Sequence, residues 1–470
     1  MPAGAASSPV PRSSTRLFDT ATVPVIPSQP VPPEAPQPAG ESLYTGSIPV
    51  STGSVRIAPA PRYPGDALSN ARRTLYVVLL GALTALGPFT IDLYLPAFPV
   101  VQHDFQTTAA MVQLTLTGTM IGFGLGQLIV GPLSDKVGRR VPLLIVTGLH
   151  VAASVVACIA PTLLMLGGAR VVMGIGAAAG GVVAMAMVRD LFGGRRLVVM
   201  LSRLSLVSGV APVAAPLIGS ALLLVMPWRG IFLVLAAYGL VMLVCSLFVL
   251  PETLVRDARG AAAGTLTLGQ RYASVFRDRV FVGVLIIGAM AFSGLFSYLS
   301  SSSFLFQDGY GFTPQQFGLL FAANSVGVVG GVQIAARLAN RYGPQWVLAW
   351  STAALVASSI AIIVTDQLHL GMWGTIIPLF FFMTACGFTF PCGQALALDR
   401  HGAAAGTAAS LLGAANSVVA GLVSPIVGVI AAGSGITATT MAMVMVGCAL
   451  VAVLALWALV RPRTVPMMGE

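Results

Sequence analysis

Twelve long apolar stretches with few or no charged residues follow one another along this sequence. A run of about 20 such residues is the length that an α-helix needs to cross the hydrocarbon core of a bilayer. Only helices and closed barrels satisfy all their backbone hydrogen bonds in lipid. The runs therefore predict an all-α polytopic membrane protein with twelve transmembrane helices and the lipid bilayer as a partner. They lie at about 75–98, 110–131, 142–160, 163–187, 197–225, 230–250, 279–304, 315–336, 345–365, 371–397, 403–431 and 438–460.

The composition fits this class, because 56% of the residues are apolar, 9% are charged and the mean hydropathy is +0.89. The net charge of +10 does not indicate a nucleic-acid partner, since the basic residues are dispersed over short connections. On one side of the predicted bundle, Arg229 is the only Lys or Arg in the connections. Lys and Arg accumulate in cytoplasmic loops, so the other side, with both termini, is predicted to face the cytoplasm. Its basic residues are Lys136, Arg139, Arg140, Arg189, Arg195, Arg196, Arg256, Arg259, Arg271, Arg277, Arg337, Arg341, Arg400, Arg461 and Arg463.

The two ends and the longest connection define the domain organisation. Residues 1–70 are rich in Pro, Ser, Ala and Val without helical or alternating periodicity, which predicts a disordered tail. The connection 251–278 divides the runs six and six, and Ala215-Pro-Leu-Ile-Gly219 in the fifth run is echoed by Ser424-Pro-Ile-Val-Gly428 in the eleventh. The predicted units are a cytoplasmic tail (1–70), a six-helix half (71–250), a cytoplasmic loop (251–278), a second six-helix half (279–461) and a cytoplasmic tail (462–470).

A charged loop, Gly131-Pro-Leu-Ser-Asp-Lys-Val-Gly-Arg-Arg140, is predicted between the second and third runs. Its glycines suit a tight turn and close helix approach, and Asp135 is spaced to pair with Arg139. The alternative is that the basic residues are only topology signals. The whole pattern resembles the loop signature of the major facilitator superfamily, G-x-L-x-D-x-x-G-R-[RK]. This resemblance implies two parallel six-helix halves around a central cavity.

The resemblance also implies a gate on the cytoplasmic face. Asp135, Arg139 and Asp190 are expected to form a charge cluster that latches the two halves in one state of the transport cycle. The start of the eleventh helix near Ala405, with its positive dipole end, is expected to give Asp135 a further partner. The predicted gate residues are Gly131, Asp135, Gly138, Arg139, Arg140, Arg189 and Asp190.

The fifth run contains two prolines four residues apart, in Gly209-Val-Ala-Pro-Val-Ala-Ala-Pro-Leu-Ile-Gly-Ser220. Each proline removes a backbone hydrogen bond, so a structural bend is one explanation. The pattern also resembles the drug–proton antiporter signature G-x-x-x-G-P-x-x-G-G, with Ala215 and Ser220 in place of two glycines. Its residues in this chain are Gly209, Pro212, Pro216 and Gly219.

Further segments are Asp92-Leu-Tyr-Leu-Pro-Ala-Phe-Pro99, Arg170-Val-Val-Met-Gly174, Met187-Val-Arg-Asp-Leu-Phe192 and Ala405-Gly-Thr-Ala-Ala-Ser-Leu-Leu-Gly413. With them, the chain over roughly 75–460 resembles the Bcr/CflA branch of the drug–proton antiporters. The resemblance implies an exporter in the bacterial inner membrane that exchanges drugs or small metabolites, such as chloramphenicol- or bicyclomycin-like compounds, for protons.

Asp92 is the only acid placed well inside a run, where an unpaired charge costs roughly 2.5–3.5 kcal/mol on insertion scales. By residue count it lies roughly 8 Å from the outer end of the first run, and Arg170 lies roughly 10 Å from the outer end of the fourth. The matching depths predict that Asp92 carries the exchanged proton and that Arg170 tunes it. Two alternatives are an earlier end of the first helix and a static ion pair with Arg170.

The substrate pocket is predicted from aromatic residues on the first, seventh and tenth runs, because rings offer contact area without fixed polar geometry. Packing or lipid contact is the alternative for each. His150 is expected to be a packed neutral imidazole, and the five cysteines are expected to be small buried residues. The sequence has no metal-ligand spacing. The candidate substrate residues are Tyr94, Phe292, Phe296, Tyr298 and Phe388.

Together with these residues, the resemblance implies a proton-coupled exporter that is not an enzyme, takes a small-molecule substrate and protons, and is expected to act as a monomer. It is expected to use the proton gradient in place of a bound cofactor or metal, since no Walker loop or nucleophile motif is present. An uptake symporter of the same fold is the first alternative. A non-transporting membrane sensor or enzyme is the second.

Overall fold

The computed structural model describes residues 63–254, 273, 275–399, 401, 405–433 and 435–464. Within these ranges, twelve helices are long and apolar enough to cross a membrane. No strand is present in the same ranges. The predicted fold class and number of spans are confirmed. We label the helices α1 (Asn70–Asp104, interrupted), α2 (Ala109–Val137), α3 (Arg140–Cys158), α4 (Leu163–Leu191), α5 (Gly194–Leu222), α6 (Trp228–Val249), α7 (Arg279–Gly309), α8 (Pro314–Tyr342), α9 (Pro344–Gln367), α10 (Gly371–Asp399), α11 (Ala405–Val423 and Pro425–Ile430) and α12 (Ala438–Thr464, interrupted).

The bundle has two ends, which we name by their residues. The charged end is where α2 passes into α3 through Gly138 and Arg139, and the far end is where α1 finishes at Asp104. Four of the helices that begin at the far end begin after a threonine whose hydroxyl accepts a hydrogen bond from a backbone N–H of the first turn. Such caps satisfy amides that have no partner within the helix. The capping residues are Thr108, Thr162, Thr313 and Thr437.

Helices α1 to α6 pack mainly on one another, as do α7 to α12, and α2–α11 and α5–α8 are the main contacts between the two sets. We call the sets the first and second half. Glycines allow close approach within the first half. A Cβ at Gly122 would lie 1.9 Å from the carbonyl oxygen of Val171, and one at Gly174 would lie 2.2 Å from that of Thr119. Small residues at these positions let α2 and α4 pack backbone to backbone.

Two helices that meet between the halves are irregular. In α1, the α-helical part ends at Asp92, a 3₁₀ turn covers Leu95–Ala97 and a short helix continues over Phe98–Asp104. Pro96 has no N–H to bond to the carbonyl of Asp92, which accounts for the interruption. In α7, a π-helical turn covers Phe304–Gly309 after the regular part Arg279–Ser303. The missing N–H of Pro96 makes the first irregularity predictable from the sequence, whereas the hydrophobic pattern does not predict the π-helical turn.

The predicted loop 131–140 is mostly helical. Helix α2 continues to Val137, α3 begins at Arg140, and Gly138 ends α2 with φ +115°. Charged residues are compatible with a helix that extends beyond the apolar core, so the end of the apolar run is not the end of the helix. The interpretation of Gly131 as a turn residue is therefore wrong, because it lies two turns inside α2.

The predicted tail differs at its last residues. Pro64–Ala67 form a 3₁₀ turn, Arg73 Nε donates to the carbonyl of Gly65 at 3.2 Å, and a Cβ at Gly65 would meet Leu191 and Phe192. Packing on the end of α4 orders this segment although its sequence has no periodicity. The predictions for residues 1–62, for 255–272 within the central loop, for Arg400 and for 465–470 lie outside the described residues.

Candidate functional site

Two opposite charges lie in the centre of the first half without forming an ion pair. Asp92 in α1 is 5% exposed and Arg170 in α4 is fully buried. Neither Asp92 Oδ1 nor any guanidinium nitrogen of Arg170 has a hydrogen-bond partner among the described residues. The two charges still act on each other through space. The static ion pair that the sequence left open is thus not formed in this conformation.

Two aromatic rings lie against the Arg170 guanidinium. Its central carbon lies 4.5 Å from the ring centroid of Tyr94 in α1 and 5.8 Å from that of Phe232 in α6. The Tyr94 and Phe232 centroids are 5.1 Å apart. A cation over an aromatic face gains attraction that is largest where water is excluded. The rings therefore hold the guanidinium beside the interruption of α1 without neutralising it.

The predicted distance of Asp92 from the outer end of the first helix was too short. Because α1 continues beyond its apolar run to Asp104, Asp92 lies twelve residues from the end of the span, roughly 18 Å at 1.5 Å per residue. Arg170 lies seven residues after the start of α4, roughly 10 Å by the same count. The Arg170 guanidinium is brought near Asp92 without pairing with it, because the long side chain reaches Tyr94, two residues beyond Asp92.

A buried histidine pins α3 to α1 close to Asp92. The Thr90 hydroxyl donates to the carbonyl of Leu86 at 2.7 Å, and His150 Nε2 lies 2.9 Å from the Thr90 hydroxyl oxygen. Since the hydroxyl hydrogen is used, the network assigns the ring hydrogen to Nε2. His150 Nδ1 has no partner among the described residues, and a Cβ at Gly239 in α6 would lie 3.2 Å from it.

The residues of the α5 signature do not all have the same role. A Cβ at Gly219 would lie 2.1 Å from the carbonyl oxygen of Leu93, so this glycine allows α5 to touch α1 one residue after Asp92. Gly209 has open space on its Cβ side. Pro216 is buried, and its carbonyl oxygen faces Gly318 of α8. Of the two glycines at the ends of the predicted signature, only Gly219 leaves no space for a side chain.

The predicted gate residues gather around Arg139 at the charged end. Its Nε donates to Asp190 Oδ2 at 3.0 Å, its Nη1 donates to Ser134 Oγ at 2.9 Å, and its guanidinium also pairs with Asp135. Burial alone lowers the pKa of Arg139, but hydrogen bonds and charge from Asp190 and Asp135 outweigh burial and raise the pKa above its usual value. The guanidinium is therefore held charged.

Sequence reasoning did not select two residues that contact this charged cluster. Glu252, just after α6, accepts the backbone N–H of Arg139 at 2.8 Å, and Thr253 donates to Asp190 at 3.1 Å. Arg189 is exposed and has no ion pair with a described residue, so it lies outside the cluster. The contacts of the charged cluster between described residues lie within the first half and the segment that directly follows α6. The latch between the halves thus stays a prediction.

The predicted substrate aromatics fall into two groups. Tyr94, Phe296 and Tyr298 are buried in the central core, and Phe292 packs on Phe296 with ring centroids 4.8 Å apart. Phe388 instead packs on the apolar cluster of the second half near the charged end. Contact with a substrate is a prediction for all five residues.

Most side-chain hydrogen bonds between the halves, among the described residues, come from glutamines that the sequence analysis did not select. Gln113 Nε2 donates to Ser300 O and Ser301 Oγ, both at 3.2 Å. Gln307 Nε2 donates to Pro96 O at 3.0 Å, and Gln315 Nε2 donates to Ser220 O at 3.0 Å. These three amides, together with Thr117 donating to Gly421 O at 2.7 Å, are the side chains that hydrogen-bond across the halves among the described residues. We call Gln113, Gln307 and Gln315 the far-end glutamines.

The family model described as Major Facilitator Superfamily matches residues 77–425 and 313–467. The chain is 34% identical over 396 residues to the uncharacterized MFS-type transporter YdgK of Bacillus subtilis, covering 83% of this chain and 96% of that protein. It is 30% identical over 384 residues to the bicyclomycin resistance protein homolog of Haemophilus influenzae, covering 81% and 95%. It is 27% identical over 344 residues to the multidrug resistance protein MdtL of Escherichia coli, covering 73% and 85%.

Solved structures agree on the fold. A bacterial homologue of the human lysosomal transporter Spinster, in an inward-facing and unoccupied conformation, superposes with a TM-score of 0.66 at 14% identity, covering 84% of this chain and 98% of that chain. The xylose transporter XylE of E. coli, in a partially occluded inward-open conformation, superposes with a TM-score of 0.64 at 13% identity, covering 85% and 99%. At this identity the likeness concerns the fold alone.

Proposed function

This chain belongs to the major facilitator superfamily, and from that membership we propose that it exports drugs or small metabolites in exchange for protons. The chain is a multi-pass membrane transporter with twelve spans. Two relatives carry names that refer to resistance against bicyclomycin or against several drugs, which supports export as the direction. Chloramphenicol- and bicyclomycin-like compounds are the proposed substrate class.

The observation that carries the proposal is the buried Asp92 next to an unpaired Arg170. A charge without a partner in a membrane span is expensive and is usually functional. Asp92 carries one negative charge when it is deprotonated and none when it is protonated, so it can exchange protons between the two sides. Arg170 cannot change its charge in the physiological range and therefore supplies a constant field that favours deprotonation.

The two ends of the bundle have separate roles in the proposed cycle. Hydrogen bonds of the far-end glutamines join the halves, so this conformation is closed at the far end. Because the basic residues collect at the charged end, we assign that end and both termini to the cytoplasm of a bacterial inner membrane. Access alternates when the halves rock about the contacts α2–α11 and α5–α8. The proposed unit is a monomer whose energy source is the proton gradient.

Everted membrane vesicles with an imposed pH gradient test this proposal. Addition of a transported drug is expected to release protons from vesicles that contain the wild-type protein and not from those that contain Asp92→Asn. The control is Lys136→Gln, which changes an exposed charge next to the charged cluster. Proton movement in the opposite direction would indicate the uptake symporter. Absence of drug-dependent proton movement across a broad compound panel, with unchanged susceptibility of expressing cells, would refute transport of this class.

A further inference from the structure

Helices α1 and α7 are in contact toward the far end, in a register that places Tyr298 at a depth similar to that of Asp92. The rings of Phe98 and Phe304 have centroids 5.7 Å apart. Asp92 lies six residues before Phe98, and Tyr298 lies six residues before Phe304. Both helices run from the charged end to the far end, so the two residues have similar depths. The Asp92 carboxylate also lies within electrostatic range of the Tyr298 hydroxyl.

The Tyr298 side chain is held from one side. It is fully buried, its ring stacks on Phe321 with centroids 6.0 Å apart, and its hydroxyl accepts a hydrogen bond from Asn324 Nδ2 at 3.0 Å. An amide nitrogen can only donate, so the hydroxyl hydrogen of Tyr298 is free to donate elsewhere. No acceptor within hydrogen-bond distance is described for that hydrogen. Asp92 Oδ1, in turn, has no described donor.

We propose that Tyr298, oriented by Asn324, is the residue of the second half that responds to the charge of Asp92. Its hydroxyl donates to the deprotonated carboxylate across the halves and holds the protonated carboxyl only weakly. Loss of a proton from Asp92 would then draw α7 toward α1, and uptake of a proton would release it. Tyr298 acts as a positioning residue in this scheme, which rests on the proposed role of Asp92.

Four ionisable side chains lie on the elements around the Asp92 carboxyl among the described residues. His150 of α3 is hydrogen-bonded to α1 two residues before Asp92 and belongs to the same half as Asp92. Arg170 approaches from α4, Tyr298 approaches from α7, and Tyr94 follows two residues later in α1. Tyr94 lies against the Arg170 guanidinium, so its ring is committed to the cation. Arg170 belongs to the same half as Asp92 and cannot report the charge to the second half. Among these four groups of the described residues, only Tyr298 belongs to the other half.

Infrared difference spectroscopy of the purified protein across a pH titration tests the proposal without a substrate. The carboxyl band that disappears in Asp92→Asn gives the midpoint of Asp92 protonation. Tyr298→Phe keeps the ring that stacks on Phe321 and removes only the donor. Because a hydrogen bond to a charged group contributes about 1.5–3 kcal/mol, its loss is expected to move that midpoint upward by about 1–2 pH units.

Two further variants make the test specific. Asn324→Leu leaves Tyr298 in place but removes the group that orients its hydroxyl, and it is expected to move the midpoint in the same direction by less. Tyr310→Phe removes a hydroxyl that lies 2.8 Å from Thr375 Oγ1 within the second half, and it is expected to leave the midpoint unchanged. If Tyr298→Phe does not fold, the protonation midpoint of Asp92 in Asn324→Leu tests the proposal alone.

The outcomes separate this inference from the proposed function. A wild-type midpoint in folded Tyr298→Phe, or in Asn324→Leu if only that variant folds, would overturn the role of Tyr298 and leave Asp92 as the proton carrier. An equal upward shift in Tyr310→Phe would also overturn it, since the effect would then not depend on contact with Asp92. A protein in which no titrating band depends on Asp92 would overturn both the inference and the proposed function.

Discussion

Removing two of the far-end glutamines should open the far end of the protein. Gln307 joins α7 to Pro96 of α1, and Gln315 joins α8 to Ser220 of α5, each through one bond of 3.0 Å across the halves. A neutral hydrogen bond contributes about 1 kcal/mol net, because water replaces it when the halves separate. The two bonds are on different helix pairs, so their contributions should add. Gln307→Met combined with Gln315→Met should therefore cost the closed state about 2 kcal/mol.

This cost changes the population ratio in a measurable way. About 2 kcal/mol corresponds to a shift of roughly 30-fold from far-end-closed to far-end-open molecules. Spin labels at Val100 in α1 and Leu319 in α8, which are 46% and 67% exposed, report the distance between the halves there. The five native cysteines are first replaced. The double variant should gain a long-distance population that the parent lacks or holds at a low level.

The neighbouring residue Gln316 provides the matched control. Its side chain accepts the backbone N–H of Thr313 at 2.9 Å and so caps α8 within its own half. Gln316→Met should weaken that cap without changing the distance between the labels. If the double variant shifts the ratio by less than about threefold, equivalent to about 0.6 kcal/mol, the glutamines do not hold the far end closed and the argument fails.

Two further predictions concern the charged end and α5. Asp135→Asn removes one partner of Arg139. Because the Asp135 side chain is 51% exposed, the lost ion pair contributes about 1 kcal/mol or less. Turnover should therefore fall up to about fivefold, with substrate affinity nearly unchanged. Lys136→Gln is the control, and an unaltered inward–outward balance in accessibility labelling of Asp135→Asn would contradict the gate. Gly219→Ala should lower thermal stability by about 1–3 kcal/mol and impair transport, because its Cβ would overlap the carbonyl oxygen of Leu93. Gly209→Ala, in the same signature but with open space around it, should be neutral; equal effects of the two changes would show that the contact between α5 and α1 is not what requires the glycine.

The sequence was sufficient for the helices but not for their ends. Apolar runs long enough to span a bilayer leave few alternatives to a helix, so twelve spans followed directly. Helix ends depend on caps and local packing. Helix α2 therefore continues through Lys136 into the charged segment, and α1 continues past Pro96 to Asp104. The π-helical turn at Phe304–Gly309 has no signature in an apolar pattern.

The candidate site could be predicted where a single charged residue stands in an apolar run. Asp92 and Arg170 are conspicuous because charges are rare in membrane helices. The rings that hold Arg170 were only partly identified, since Phe232 in α6 is one of many aromatic residues in apolar runs. The far-end glutamines carry no charge, so a search for charges passes over them. Their partners are backbone and serine oxygens of the other half, which only the packing of α1, α2 and α5 on α7 and α8 brings within reach.

Proton release from the purified protein on addition of a transported drug tests the central claim most directly. The measurement uses a pH-sensitive dye in weakly buffered detergent solution, with the fold of each variant confirmed by thermal unfolding. Because Asp92 is the proposed carrier of the exchanged proton, wild-type protein should release close to one proton for each drug molecule bound, and Asp92→Asn should bind the drug without releasing any. Drug-induced proton release that persists in folded Asp92→Asn would contradict the account and place the carrier at another residue.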